Sequence, residues 1–374
     1  MRIWIDGKEA NVPQRLGSSQ VAFNLIKSLE KIDKVNDYTI LLPSIPDEDF
    51  PPERENWKYK ILKPNRLWTI ISLPLALLFA KSRPDVFFSP THYIPRFPFI
   101  KRVVTIFDLS YLHFPQMFNR KDLWQLKNWS GYSIKNAKKV ITISHFSKSD
   151  IAKNYGISKE KITVAYPGYD LANYKVIRDE EKIKKIKDSY RIDSDNYIIY
   201  IGTLQPRKNL IKLIESVARI DNLKLVIVGK TNGPGRSGWM YEDILARPKQ
   251  LGIEDRVIFT GFVPPEHLSY LLSGATAFVL PSLYEGFGIP VVDAMACGVP
   301  VIVSNVSSLP EVVGSAGLLI NPQSTDQIEQ AIRTLVSDKK LRQKYSKEVL
   351  RQAERFSWDK MARTVKQVLE EVGR

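Results

Sequence analysis

Short runs of apolar residues alternate along this chain with longer stretches in which apolar residues recur every three or four positions. The short runs predict buried parallel strands, and the periodic stretches, such as Gly17 to Leu29, predict helices that cover a sheet. The runs lie at residues 2–6, 38–42, 85–88, 103–107, 139–144 and 161–165, and then at 197–201, 223–228, 257–260, 277–280, 299–303 and 317–319. This alternation predicts an α/β protein with two doubly wound parallel sheets that face a cleft.

The segment from Leu67 to Ala80 contains fourteen residues without a charge, between Arg66 and Lys81. It is too short to span a bilayer. Its all-round apolarity is typical of a core helix in the first domain. The basic flanks and Trp68 are typical of an interfacial helix, through which a peripheral enzyme contacts anionic lipid. The sequence leaves both interpretations open.

Composition restricts the class of protein. The 374 residues are enough for two domains, and a hydrophobic content of 44% is enough for a core in each. The single cysteine, Cys297, excludes a disulfide framework and fits a reducing compartment. The chain starts with a charged, strand-like segment, which predicts that no signal peptide is present. We therefore expect a cytoplasmic protein, with the inner face of the cell membrane as its alternative position.

The net charge of +15 is concentrated in the first half of the chain, where residues 51–170 contain twenty Lys and Arg against eight Asp and Glu. Such a basic face favours an anionic membrane surface or an anionic sugar acceptor as partner. No nucleic-acid recognition motif accompanies it, so we expect no nucleic-acid partner. The sequence also lacks the GxxxxGK[ST] pattern, which excludes a P-loop nucleotide-binding protein.

The stretch from Pro281 to Pro300 reads as a strand-to-helix turn that follows the apolar run at 277–280. Its turn, Glu285 to Gly288, contains two glycines, which allow close approach of a ligand to the backbone. The free N–H groups at the start of the following helix favour an anion. Asp293 lies eight positions after Glu285, so both carboxylates are able to face one cleft at different depths.

A second strand–turn–helix carries adjacent cations. Gly202 follows the strand at 197–201, and Arg207 and Lys208 precede the next helix, which predicts a cradle for a pyrophosphate. Residues 233–238 match GxGxxG, but their first glycine lies several residues beyond the preceding strand and no acidic residue ends the next one. We therefore predict a flexible loop there rather than a dinucleotide site.

These motifs, GTLQPRKNL at 202–210 and LPSLYEGFGIPVVDAMACG at 280–298, resemble those of the retaining glycosyltransferases of the GT-B fold, family four. The resemblance implies an acceptor-binding domain at 1–170, a connector at 171–195, a nucleotide-sugar domain at 196–356 and a last helix at 357–374 that crosses back to the first domain. It implies that Glu285 binds the donor sugar and that Arg207 and Lys208 hold its diphosphate, with no metal and no cofactor. The implied donor site comprises Gly17, Gly202, Phe262, Val263, Glu285, Gly286, Phe287, Gly288, Ile289 and Asp293.

The chain departs from the family pattern at two positions. Asp293 stands where the family has glutamate, which shortens the reach of the carboxylate expected to bind the ribose. Phe107 stands where a histidine is common, so only Asp108 of that motif is carried over, as a residue that orients the acceptor hydroxyl. A local role for Asp108 in capping the next turn is an equal alternative.

Within the family, the motifs and FDLSYLHFP at 107–115 look most like bacterial mannosyltransferases of surface polysaccharide synthesis. The resemblance therefore implies transfer of mannose from GDP-mannose to a glycan or lipid-linked acceptor. A UDP-sugar donor and a non-catalytic subunit that binds a nucleotide sugar are the alternatives.

Overall fold

The computed structural model describes residues 1–97, 99–230 and 241–374. The chain divides into two compact units, of which the first comprises Met1–His113, Arg120–Gly168 and Ser357–Arg374, and the second comprises Phe114–Asn119 and Tyr169–Phe356. The GxGxxG match at 233–238 lies outside the described residues, and the loop predicted there stays a prediction.

Each unit contains one parallel sheet, as predicted. The first sheet has the order β3-β2-β1-β4-β5-β6-β7 and the second the order β10-β9-β8-β11-β12-β13. The strands are β1 (Arg2–Asp6), β2 (Asp37–Leu42), β3 (Trp57–Ile61), β4 (Val86–Ser89), β5 (Lys101–Thr105), β6 (Lys139–Thr142), β7 (Ile162–Val164), β8 (Tyr197–Ile201), β9 (Lys224–Val228), β10 (Val257–Gly261), β11 (Ala277–Leu280), β12 (Val301–Ser304) and β13 (Leu318–Ile320). The strand order reverses between β1 and β4 in the first sheet and between β8 and β11 in the second, and sheets of this kind bind ligands at the carboxyl edge of that switch point.

Most of the helices lie between strands in sequence, and the last three follow the final strand. They are α1 (Ser18–Ile32), α2 (Leu73–Leu78), α3 (Ser110–His113), α4 (Arg120–Gln125), α5 (Gly131–Asn136), α6 (His145–Tyr155), α7 (Glu180–Ser189), α8 (Leu210–Ala218), α9 (Glu242–Gln250), α10 (Pro265–Ser273), α11 (Ile289–Ala296), α12 (Leu309–Val313), α13 (Thr325–Ser337), α14 (Lys339–Ala353) and α15 (Trp358–Gly373). The last helix packs on α1 of the first unit, as predicted. An ion pair of 2.7 Å between Lys31 and Asp359 joins the two helices.

One strand was not predicted. Strand β3 is an edge strand of the first sheet, and its residues Lys58 and Lys60 are exposed. Central strands of such a sheet are wholly apolar, whereas edge strands carry charged residues. These charges discourage pairing of the exposed edge with another chain. An apolar run therefore does not mark β3 in the sequence.

The uncharged segment at 67–80 has two faces. It begins with a π-helical turn (Trp68–Ser72) and continues into α2. Its inner side chains, Trp68, Leu73 and Leu77, belong to a core cluster with Trp4 and Phe87. Its outer face is apolar as well and is exposed, through Leu67, Ile70, Leu75, Leu78 and Phe79. Within the described ranges, no helix has the length and apolarity needed to cross a membrane.

Candidate functional site

The loops that follow β8 and β11 carry the charged motifs of the second unit. Because these strands are neighbours across the switch point, their carboxyl ends place the two loops side by side. The backbone amide of Leu283 donates a hydrogen bond of 2.8 Å to the carbonyl of Arg207. The side chain of Asn209 donates another, of 3.1 Å, to the carbonyl of Pro281. The fold thus joins two motifs that lie some eighty positions apart in the sequence.

Glu285 lies at the centre of this junction. Its side chain receives Lys208 Nζ at 2.5 Å on Oε1 and Arg207 Nη1 at 3.3 Å on Oε2. Ser282 Oγ donates to Oε1 at 2.7 Å, and the backbone of Glu285 is held by the hydroxyl of Ser307, which accepts from its amide at 3.0 Å. Glu285 is only 6% exposed, so this carboxylate is buried and bonded to two cations.

The charge of Glu285 depends on these neighbours. Burial alone would raise the pKa of its carboxyl, because an ion loses hydration in the interior. The charges of Lys208 and Arg207, with the hydrogen bonds from Lys208 and Ser282, outweigh burial and lower the pKa to about 2. Glu285 is therefore ionised at neutral pH. The cluster contains two cations and one carboxylate, a composition that suits an anionic ligand.

The turn after Glu285 has the backbone geometry expected where a ligand is to approach the main chain closely. Gly288 has a φ of 99°, a conformation that side chains rarely adopt, and a Cβ on it would lie 2.8 Å from Leu309. Ile289 begins α11 directly after it. Gly286 and Phe287 are buried, and Phe287 packs edge-on against Phe356 at 5.4 Å between ring centroids. Phe287 therefore supports the turn through packing.

Asp293 occupies a different environment from Glu285. It lies on α11 and is buried, and burial together with the charge of Asp170 raises its pKa well above the usual range. Burial, and after it the charge of Asp293, raises the pKa of Tyr174, so Asp293 lies near this residue of the second unit. The protonated form is favoured, so Asp293 is able to donate a hydrogen bond as well as accept one. Its contact with a ribose stays a prediction.

The remaining predicted donor residues are distributed over both units. Gly202 directly follows β8, and a Cβ on it would lie 2.7 Å from the hydroxyl of Tyr200. After β10, Phe262 is 47% exposed whereas Val263 is buried, so the aromatic ring is the accessible one. Gly17 precedes α1 of the first unit with a φ of 57°, and a Cβ there would meet no atom within 4 Å. The roles proposed for these residues stay predictions.

Asp108 follows β5 in the first unit. Its Oδ1 accepts a hydrogen bond of 2.8 Å from the amide of Ser110, which is the local turn contact that the sequence allowed as an alternative. One oxygen in a capping bond leaves a carboxylate with further acceptor capacity. The acceptor role of Asp108 therefore stays compatible with its capping role.

His92 is a residue that the sequence interpretation missed. It follows β4 with a φ of 43°, and its ring lies 5.3 Å from that of Phe107. Its Nδ1 is buried without a hydrogen-bond partner among the described residues. Burial lowers the pKa of His92, and the charge of Asp108 opposes this effect. The chain thus has an imidazole beside Asp108 although position 107 is phenylalanine. The only sequence signal for it is a histidine four positions after a predicted strand.

Comparison with known proteins identifies the family. Residues 17–173 match the model of glycosyltransferase family 4, and residues 182–352 match that of the glycosyl transferases group 1. The O-antigen chain mannosyltransferase B of Escherichia coli is 32% identical over 279 residues, which is 73% of this chain and 71% of that protein. This chain belongs to glycosyltransferase family 4. A further relative, the O-antigen chain mannosyltransferase RfbU of Salmonella typhimurium, is 30% identical over 72% of this chain and 70% of its own length.

Solved structures show that the family four chain has the GT-B fold. Sucrose-phosphate synthase from Thermosynechococcus elongatus superposes with a TM-score of 0.77 at 19% identity, over 99% of this chain and 98% of that one. WaaG, a glycosyltransferase involved in lipopolysaccharide biosynthesis, superposes with a TM-score of 0.72 at 16% identity, over 99% of each chain. Anabaena HepE in complex with UDP-glucose superposes with a TM-score of 0.74 at 20% identity, over 99% of each chain. The resemblance in sequence and the predicted fold class are both confirmed.

Proposed function

We propose that this protein is a retaining, metal-independent mannosyltransferase that uses GDP-mannose and acts on a glycan or lipid-linked acceptor in surface polysaccharide synthesis. The observation that carries the proposal is the buried cluster of Arg207, Lys208 and Glu285 at the switch point of the second sheet. The mannosyltransferase names of the two relatives at 30–32% identity support the choice of sugar and pathway. The UDP-glucose complex of HepE keeps a UDP-sugar as the alternative donor.

The cluster supplies the electrostatics of the transfer. When the bond between the anomeric carbon and the diphosphate oxygen breaks, negative charge develops on the diphosphate, and Arg207 and Lys208 stabilise it. These two cations supply the positive charge that a metal ion would otherwise supply. Glu285 accepts hydrogen bonds from hydroxyls of the donor sugar. The acceptor oxygen attacks the same face of the sugar, and its proton passes to the departing phosphate oxygen, so the configuration is retained.

The donor is identified by thermal unfolding of the purified protein with GDP, GDP-mannose, UDP and UDP-glucose. A ligand that binds the native state raises the melting temperature, and the rise grows with the ratio of the ligand concentration to its dissociation constant. We expect a shift with GDP and GDP-mannose that disappears in Lys208→Ala. A shift with UDP compounds alone would exclude GDP-mannose, and no shift with any nucleotide would contradict the donor site.

We also propose that the protein acts at the inner face of the cell membrane, through the exposed outer face of residues 67–79. Phe79 is 76% exposed, and Phe99, equally exposed, packs on Phe97 of the same core cluster. Residues 57–107 contain nine Lys and Arg and a single acidic residue, Asp85. Asp85 is already paired with Arg2. An apolar face with a basic surround binds anionic lipid by burial and by charge.

Vesicle sedimentation tests this location. We expect the protein to bind phosphatidylglycerol vesicles and to release with salt, but not to bind phosphatidylcholine vesicles. The double variant Leu75→Gln with Phe79→Gln removes two exposed apolar side chains and should abolish the binding. The matched control is Val35→Gln, because Val35 is 81% exposed and lies before β2, outside this face. Equal binding of the double variant and the control would contradict the proposal.

A further inference from the structure

The switch point of the first sheet contains a cavity of about 250 Å³. Its walls include Asp6 at the end of β1 and Thr91 and Tyr93 in the segment after β4. Trp68 and Trp129 line it from the helical segments of the same unit. Because β1 and β4 are the neighbours between which the strand order reverses, the cavity occupies the position where parallel sheets bind ligands. The motifs described above do not involve it.

Asp6 is the fixed polar group of the cavity. It is 7% exposed, and its Oδ1 accepts hydrogen bonds from Trp68 Nε1 at 2.9 Å and from the amide of Lys8 at 3.1 Å. Its Oδ2 accepts no hydrogen bond from the described residues, although a carboxylate oxygen has two acceptor positions. Burial raises the pKa of Asp6 to about 6, so the carboxylate form predominates at neutral pH. One oxygen of this largely buried carboxylate is thus available for a ligand donor.

The aromatic walls determine what kind of ligand fits. The rings of Tyr93 and Trp129 pack edge-on with 5.6 Å between centroids, and the hydrogen bond to Asp6 fixes the indole of Trp68. Aromatic faces with a few placed polar groups are typical of sites that orient an amphipathic small molecule. A pyranose ring is such a molecule, since its C–H faces are apolar and its rim carries hydroxyls.

The charged residues of the cavity disfavour an anionic ligand. Asp6 and Glu9 contribute two carboxylates to the lining, and Lys8 contributes one cation. The excess charge is negative, opposite to that of the Arg207–Lys208–Glu285 cluster, so a phosphate or a nucleotide is disfavoured here. A neutral, hydroxyl-bearing ligand satisfies Asp6 without that repulsion.

We propose that this cavity binds a neutral sugar ring of the acceptor and that Asp6 accepts a hydrogen bond from one of its hydroxyls. The proposal rests on the proposed function and names the acceptor chemistry of the first unit. Leu67 and Trp68 line the cavity and also belong to the segment whose outer face is exposed and apolar. A lipid-linked glycan held at a membrane would therefore present its sugar beside this face.

Binding is tested directly, without turnover. Saturation-transfer NMR and tryptophan fluorescence titration are performed with the methyl glycosides of mannose, glucose, galactose, N-acetylglucosamine and rhamnose, and with mannobiose. We expect at least one of them to bind. Asp6→Asn should weaken that binding by about 10- to 100-fold, the equivalent of one hydrogen bond to a charged group, and Trp129→Ala, which removes an aromatic wall, should weaken it as well. Trp124→Ala is the matched control, because Trp124 is exposed, lies in the adjacent helix α4 and does not line the cavity.

The outcomes separate this proposal from the donor assignment. If the variants lose sugar binding while GDP-mannose still raises their melting temperature, both proposals are supported. If the wild type binds none of the sugars, or if both cavity variants bind as the control does, the cavity proposal is overturned whatever the donor result. If sugar binding depends on Asp6 but no nucleotide raises the melting temperature of the wild type or of any variant, the cavity proposal is supported and the donor proposal is contradicted.

Discussion

Replacing Lys208 by methionine is the perturbation that tests the buried cluster most directly. Methionine keeps a similar chain length and removes the ammonium group, with its charge and its hydrogen bond to Glu285. Glu285 then stays buried, with Arg207 at 3.3 Å and Ser282 at 2.7 Å as its remaining side-chain partners. An ionised carboxylate that loses a buried cation is destabilised, because its hydration has already been lost on folding.

The magnitude follows from the pKa of Glu285. A shift from 4.5 to about 2 corresponds to roughly 3 kcal/mol of stabilisation of the ionised form. This agrees with the loss of roughly 3–5 kcal/mol expected when one partner of a buried ion pair is removed. For a unit of this size, about 3 kcal/mol lowers the melting temperature by roughly 6–12 °C. Lys249→Met, which removes an exposed lysine of α9, should change it by little.

A double-mutant cycle with Glu285→Gln decides whether the loss of stability in Lys208→Met comes from the ion pair between Lys208 and Glu285. Calorimetric or fluorescence melting of the wild type, Lys208→Met, Glu285→Gln and the double variant supplies the four values. We expect Lys208→Met to cost much less in the Glu285→Gln background, since no buried charge is then left unpaired. If the loss were the same in both backgrounds, the reasoning from a charge-coupled pair would be refuted.

Other measurements test the remaining residues. Glu285→Gln should lower turnover at least 100-fold, measured as mannose transfer, because the proposed contact of the donor sugar hydroxyls with an ionised carboxylate is lost. Since the pKa of Glu285 is lowered, its stabilisation is complete above about pH 4.5 and should be lost as the pH falls toward 2, measured as acid unfolding that Glu285→Gln flattens. Asp293 has a raised pKa, so Asp293→Asn should raise the melting temperature at pH 8 and lose this advantage below about pH 4; a variant less stable than wild type at pH 8 would contradict it. His92→Asn tolerates the positive φ and should lower turnover while leaving the GDP-induced melting shift intact.

The second unit could be predicted from the sequence because its signals are local. Gly202, Arg207 and Lys208 follow one strand within eight residues, and Glu285 follows another within five. The rule that carboxyl ends of parallel strands share an edge is enough to bring these short motifs together. The environment of Asp293 could not be predicted in this way. Its neighbours Asp170 and Tyr174 lie more than a hundred positions earlier, and no periodicity in α11 indicates them.

The first unit shows why local signals are sometimes insufficient. Asp6 and Thr91 line one cavity only because β1 pairs with β4, although two strands and the helices α1 and α2 lie between them in the chain. His92 lies beside Asp108 because β4 pairs with β5. Neither pair has a spacing that a motif would reveal. The same holds for the segment at 67–80, whose inner and outer faces are both apolar, so that hydrophobicity alone does not distinguish core from surface.

The two switch points share a place in the fold and differ in their side chains, and this difference is the basis of the two binding proposals. Both lie at the carboxyl edge of a parallel sheet, between the first strand of the unit and its fourth. In the second unit two cations surround one carboxylate, which is why we propose that it holds an anionic diphosphate. In the first, two carboxylates and aromatic walls accompany a single lysine, which suits a neutral sugar. A transferase needs this asymmetry, because a leaving group that gains negative charge and an acceptor that carries hydroxyls require opposite electrostatic environments.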